Sequence, residues 1–232
     1  MMDFDIDSFM FTVTIWALPL LLAITFHEAA HGFVAWRLGD DTAYRQGRVS
    51  FNPFRHVDPF GTVVMPALLL LMSGGKMMFG FAKPVPVDFN RLRKPRRDMV
   101  LVALAGPGTN VALAVVSALL MHTLSYMPGD VAEWVFYNLR NSIFLNMILA
   151  VFNMLPLPPL DGGRVAVGIL PYSLAHRLAR LERVGFLIIL GGIFLLPWVG
   201  DKLGLDLNVF WWLVAEPASY LSQWIFVLTG VI

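Results

Sequence analysis

The chain has 232 residues, 57% of them hydrophobic and 14% charged, with a mean hydropathy of +0.68, which excludes an ordinary water-soluble domain. A formal net charge of +1, with the basic residues in loops beside apolar runs, gives no surface for nucleic acid. There are no cysteines, so disulfides and thiolate zinc sites are excluded, and a soft metal must be held by His with Asp or Glu.

Taken in chain order, the N-terminus opens on Asp3, Asp5 and Asp7 without a basic region, so no cleaved signal peptide is expected. The first uncharged run, 9–26, continues through a His-Glu pair to about residue 38 and is long enough to cross a bilayer. Within it stands His27-Glu28-Ala29-Ala30-His31, the H-E-x-x-H pattern. Two histidines one turn apart share a helix face and can present nitrogens to one zinc ion. Glu28 lies beside that face, where its carboxylate can take a proton from water without ligating. The bland alternative is a pair of packing histidines. Three ionisable groups in one apolar helix each cost roughly 2.5–3.5 kcal/mol when charged, so a metal partner is the better reading.

The segments 41–52 and 80–87 carry Tyr44, Val49 and Phe51 in one and Pro84 and Pro86 in the other, and are expected to form short strands near the active site. An exposed strand edge there is expected to pair with an unwound substrate. The run 60–72 is short for a span and contains Gly61 and Pro66. Further uncharged runs follow at 99–121, 141–160, 184–200 and 207–232, the last interrupted by Glu216.

Lys and Arg concentrate in cytoplasmic loops. Arg45, Arg48 and Arg55 precede residue 60, seven basic residues from Lys76 to Arg97 follow it, and Arg164, Arg177, Arg180 and Arg183 follow the third long run. Residues 123–139 contain no Lys or Arg. Five spans with the N-terminus outside satisfy every loop. A sixth span at 60–72 would put two arginine-bearing loops on opposite sides, so that run is expected to be re-entrant. The fold class is therefore an all-α polytopic membrane protein, a bundle of five helices, or six if 60–72 crosses. One membrane-embedded domain covers 1–232, with a catalytic core at about 9–164 and C-terminal helices at 165–232.

A catalytic zinc needs a third protein ligand and an open fourth position. The best candidate is Asp161, in Asn153-Met-Leu-Pro-Leu-Pro-Pro-Leu-Asp161-Gly162-Gly163-Arg164, with Glu216 and His56 next in order. Three prolines end the preceding helix, and two glycines let the backbone turn where the span meets the cytoplasmic loop, so Asp161 is expected on irregular backbone lining a wet cavity. Asn153 is a candidate donor to the substrate carbonyl or developing oxyanion, or else a helix-end residue satisfying freed backbone groups. Asn110 and the glycines around Pro107 read as allowing close helix approach. His56, His122 and His176 read as solvated or interfacial.

His27-Glu28-Ala29-Ala30-His31, followed far downstream by Asn153 and Leu160-Asp161-Gly162-Gly163-Arg164, with Ala105-Gly106-Pro107-Gly108-Thr109-Asn110 between them, resembles the site-2 protease family of intramembrane zinc metalloproteases. The resemblance implies a three-span catalytic core, one Zn2+ per chain on His27, His31 and Asp161, and Glu28 as the catalytic residue. It also implies cleavage of peptide bonds in or near transmembrane segments of membrane proteins, in regulated intramembrane proteolysis. Many relatives carry a PDZ or CBS domain; none is read here. The expected partners are a transmembrane protein or peptide substrate and membrane lipid, in a prokaryotic plasma membrane with the active site toward the cytoplasm. The alternative is a membrane metal-ion transporter or binding protein. Transporters usually show paired repeats, and none is visible here.

Overall fold

The computed structural model describes residues 6–65, 68, 71 and 82–231. All regular structure among them is helical. Helix α1 is Ile6–Arg37, about 48 Å at 1.5 Å per residue, more than a ~30 Å hydrocarbon layer needs. A single turn, α2 (Thr42–Arg45), follows. Then come α3 (Pro95–Met121), α4 (Gly129–Asn153), and the short α5 (Asp161–Ile169) and α6 (Tyr172–Arg180). Helix α7 (Glu182–Leu203) contains a π turn, and α8 (Glu216–Thr229) continues another. Four of these are long and apolar enough to span a membrane: Met10–Arg37 of α1, α3, α4 and α7. Within the expected run 207–232, residues 209–229 are helical, and α8 itself, with 14 residues, is not among the four.

Two boundaries differ from expectation. The third run was expected at 141–160, whereas its helix is Gly129–Asn153. Pro128 and Gly129 open it, Asp130 favours the positive end of the helix dipole, and Pro156 ends it. The helix carries Glu133 in its second turn and Arg140 near its midpoint. The expected strands at 41–52 and 80–87 are absent among the described residues: Thr42–Arg45 is helical, and 82–88 is irregular with no ladder. Pro84 and Pro86 have no N–H to give a ladder, and the N–H of Val85 between them is taken by a side chain of α1. Of the expected re-entrant run, only 60–65, 68 and 71 lie within the described residues. There Pro59–Val64 is a π-helical turn capped by Asp58, whose side chain accepts from Gly61 N–H at 2.7 Å.

Helices α3 and α4 form the centre, with α1 against both and α8 against their far ends. Small residues make the contact close: Ala114 and Ala118 of α3 pack with Ile143, Met147 and Ala150 of α4 and Ala218 of α8. Pro19 inside α1 has no N–H for the Ile15 carbonyl. Asn141 of α4 supplies the missing donor at 2.8 Å, so the proline becomes an interhelical tie.

Candidate metal centre

His27 and His31 lie on the face of α1 that meets α3, and both are buried. Their rings stand nearly perpendicular, with Nε2 atoms 3.0 Å apart. The facing stripe of α3 is Val102, Gly106 and Asn110, at i, i+4 and i+8. Val102 O accepts from Nδ1–H of His31 at 2.7 Å, and Asn110 Oδ1 accepts from Nδ1–H of His27 at 2.6 Å. Between them Gly106 leaves the gap the imidazoles occupy: a Cβ there would lie 2.5 Å from His31 Nε2 and 2.6 Å from His27 Nε2.

Asp161 arrives from the other side. It is the first residue of α5 rather than part of an irregular stretch, because Pro156, Pro158 and Pro159 break the chain ahead of it and helix resumes at once. The turn is tight enough that a Cβ on Gly162 would sit 2.2 Å from Met154 O. Asp161 Oδ2 lies 3.3 Å from His27 Nε2 and 3.2 Å from His31 Nε2.

The three atoms do not satisfy one another. With Nδ1 protonated on both rings, each Nε2 offers a lone pair, and Asp161 Oδ2 is a buried oxygen without a hydrogen-bond partner. Three acceptors this close form a set that could hold a metal ion. Ligand bonds of about 2.0–2.2 Å in a tetrahedron put ligand atoms about 3.3–3.6 Å apart, against 3.0, 3.2 and 3.3 Å here, so a small outward shift of the side chains would seat the ion. The donor set and spacing fit zinc, and it is the one such group among the described residues.

These residues open on a cavity of about 560 Å³, walled mainly by apolar side chains including Phe152, Phe186 and Ile189, with Glu28, Asn153 and Arg164 as its other polar members. Glu28 Oε2 accepts from Val85 N–H at 2.7 Å. The loop carrying Val85 is fixed in turn: Arg48 donates to Lys83 O at 2.7 Å, Lys83 N–H donates to His56 O at 2.9 Å, and the buried Asp40 accepts from Asp88 N–H at 2.7 Å. Asn153 donates to Leu149 O at 3.0 Å, the helix-end role, which leaves its second N–H for the cavity.

Other sequence readings need correction. Asn110 does more than allow helix approach, since it holds His27. His56 is not solvated: it is 2% exposed, with Nε2–H donating to Ser50 O at 2.9 Å, because its loop folds back onto α1 instead of into water. His122 and His176 are exposed, the first donating to Thr229 O at 2.8 Å and the second stacked on Tyr172. Glu216 is exposed on α8 and is not among the cavity residues. The polar row Asn138, Ser142, Asn146 on α4, at i, i+4 and i+8, was the signal for the missed support.

Gly106→Ala separates the gap from the fold. The substitution gains up to about 1 kcal/mol of helix propensity, while displacing the imidazoles costs about 1–3 kcal/mol. Zinc affinity measured by chelator competition is expected to fall about 10- to 100-fold, with melting of the metal-free protein unchanged or lowered.

The model of peptidase family M50 matches residues 120–196, which include Asn153 and Asp161. Relatives of the chain carry the name "Putative zinc metalloprotease". YwhC of Bacillus subtilis is 39% identical over 178 residues, 75% of this chain and 77% of that protein. Rip2 of Mycolicibacterium smegmatis is 31% identical over 170 residues, covering 73% and 62% respectively. Rip2 of Mycobacterium tuberculosis is 34% identical over 142 residues, covering 61% and 52%. The match thus spans about half to two thirds of the mycobacterial relatives. No solved structure matches the chain.

Proposed function

The chain belongs to peptidase family M50, the site-2 protease family, as a multi-pass membrane zinc metalloprotease, and from that premise we propose that it hydrolyses peptide bonds in or near transmembrane segments of membrane proteins. The observation that carries this reading is the meeting of His27 Nε2, His31 Nε2 and Asp161 Oδ2 within 3.3 Å in a cavity that also holds Glu28.

His27, His31 and Asp161 would hold the ion. A zinc ion in such a site supplies Lewis acidity, which polarises a carbonyl and brings the pKa of water to about 7. Glu28 does the proton work: its carboxylate takes the proton from the attacking water and returns it to the leaving amine. Val85 N–H on Oε2 fixes the rotamer and leaves Oε1 for that exchange. The apolar walls exclude bulk water and accept the side chains of a membrane segment. Asn153 has an N–H available for the substrate carbonyl.

The family membership supports regulated intramembrane proteolysis in a prokaryotic plasma membrane, and Arg164, Arg177, Arg180 and Arg183 on and beside α5 and α6 accord with a site toward the cytoplasm. The test uses the full chain in detergent with a labelled transmembrane peptide. One zinc per chain is expected, cleavage should stop when a chelator strips the metal, and stoichiometric zinc should restore it. Cleavage that survives complete zinc removal would overturn the reading.

A further inference from the structure

The hydrogen-bond chain behind His27 runs deeper than the metal centre. Asn110 Nδ2 donates to Asn146 Oδ1 at 2.8 Å and, more weakly, to Ala23 O at 3.3 Å. Asn146 Nδ2 donates to Ser142 O at 2.8 Å, and Ser142 Oγ meets Ser117 Oγ at 2.8 Å. Asn110 and Asn146 are 0% and 1% exposed.

A primary amide has nearly the same shape either way round but opposite polarity. Ser142 O is a backbone carbonyl and can only accept, so it fixes Asn146 with Oδ1 toward Asn110. That oxygen in turn fixes Asn110 with Oδ1 toward His27. Were Asn110 reversed, its NH2 would face His27 Nδ1, which would then have to be the lone-pair nitrogen. The imidazole proton would sit on Nε2, the atom that points at Asp161 and His31. A protonated Nε2 cannot ligate. Of the two acceptors that orient Asn110, Asn146 is nearer by 0.5 Å, the difference between 3.3 and 2.8 Å, and its oxygen serves no helix of its own.

We propose that Asn146, which touches neither metal nor substrate, is a positioning residue: by orienting Asn110 it selects the Nδ1–H tautomer of His27 and so sets the affinity for zinc. The proposal rests on the zinc reading above. It is distinct from helix packing, which would change stability and leave metal affinity alone.

The test measures zinc affinity by chelator competition, and melting in EDTA, on the full detergent-solubilised chain. Asn146→Leu removes the orienting oxygen at similar volume, and Asn146→Ala is carried alongside in case the bulkier side chain does not pack. Each is expected to weaken zinc about 10-fold, at the lower end of the effect of losing a ligand's outer partner. Asn110→Asp presents two equivalent oxygens and has no wrong way round, and its second oxygen faces the acceptor Asn146 Oδ1. In that background Asn146→Leu or Asn146→Ala removes a repulsion and is expected to leave zinc affinity unchanged or raised. Equal losses in both backgrounds, or wild-type affinity with only a lower melting point, would overturn the proposal. A wild-type chain that binds no zinc would overturn the metalloprotease reading and this inference with it.

Discussion

Glu28→Gln is expected to reduce cleavage of a transmembrane peptide by about 10²–10⁴-fold, the usual worth of general acid–base catalysis, while leaving one zinc per chain in place. The substitution is nearly isosteric. Its amide oxygen can still accept from Val85 N–H, so the loop at 82–88 stays docked and the cavity keeps its shape. What is lost is the basic carboxylate alone. Because Glu28 is not one of the three converging residues, metal content and single-turnover cleavage together read out its role. Equal cleavage by variant and wild type would remove Glu28 from the chemistry. Loss of zinc would make it a ligand.

Asp161→Ala is expected to show the opposite pattern, losing zinc affinity by more than about 100-fold, since even the outer partners of a metal ligand are worth about 10–100-fold. Melting of the metal-free protein should hold or rise. In the absence of a cation, Asp161 Oδ2 is a buried acceptor with no donor, facing two imidazole lone pairs, and removing it relieves that repulsion. Zinc should therefore stabilise wild type against heat and have no such effect on the variant. Normal zinc binding by Asp161→Ala would mean that the third ligand lies elsewhere.

Much of this was legible in the sequence because it is local. The four-residue spacing of His27 and His31 on an apolar run, and the proline break before Asp161-Gly162-Gly163, each specify their own backbone. Their convergence follows once both ends face the same layer. Three things were not legible. The role of Asn110 depends on how α3 is rotated against α1, which no spacing within α3 alone reveals. Aromatic and β-branched residues at 44–51 suggested strand, but they are used to pack on α1, as Tyr44 stacks on Trp36 at 4.3 Å and Phe51 on Phe26 at 4.5 Å. The start of α4 was placed late because charged Glu133 and Arg140 end a hydropathy run without ending a helix.

The partner of His27 is an amide, and that of His31 is a peptide carbonyl. Both are neutral. Two uncharged imidazoles and one carboxylate would leave a divalent ion with a formal surplus of one positive charge, which a carboxylate behind either ring would cancel. Such a centre would withdraw electrons more strongly from whatever oxygen approaches it. The neutral partners would thus trade some grip on the ion for electrophilic strength, and Asn110→Asp should shift that balance toward tighter retention and slower turnover.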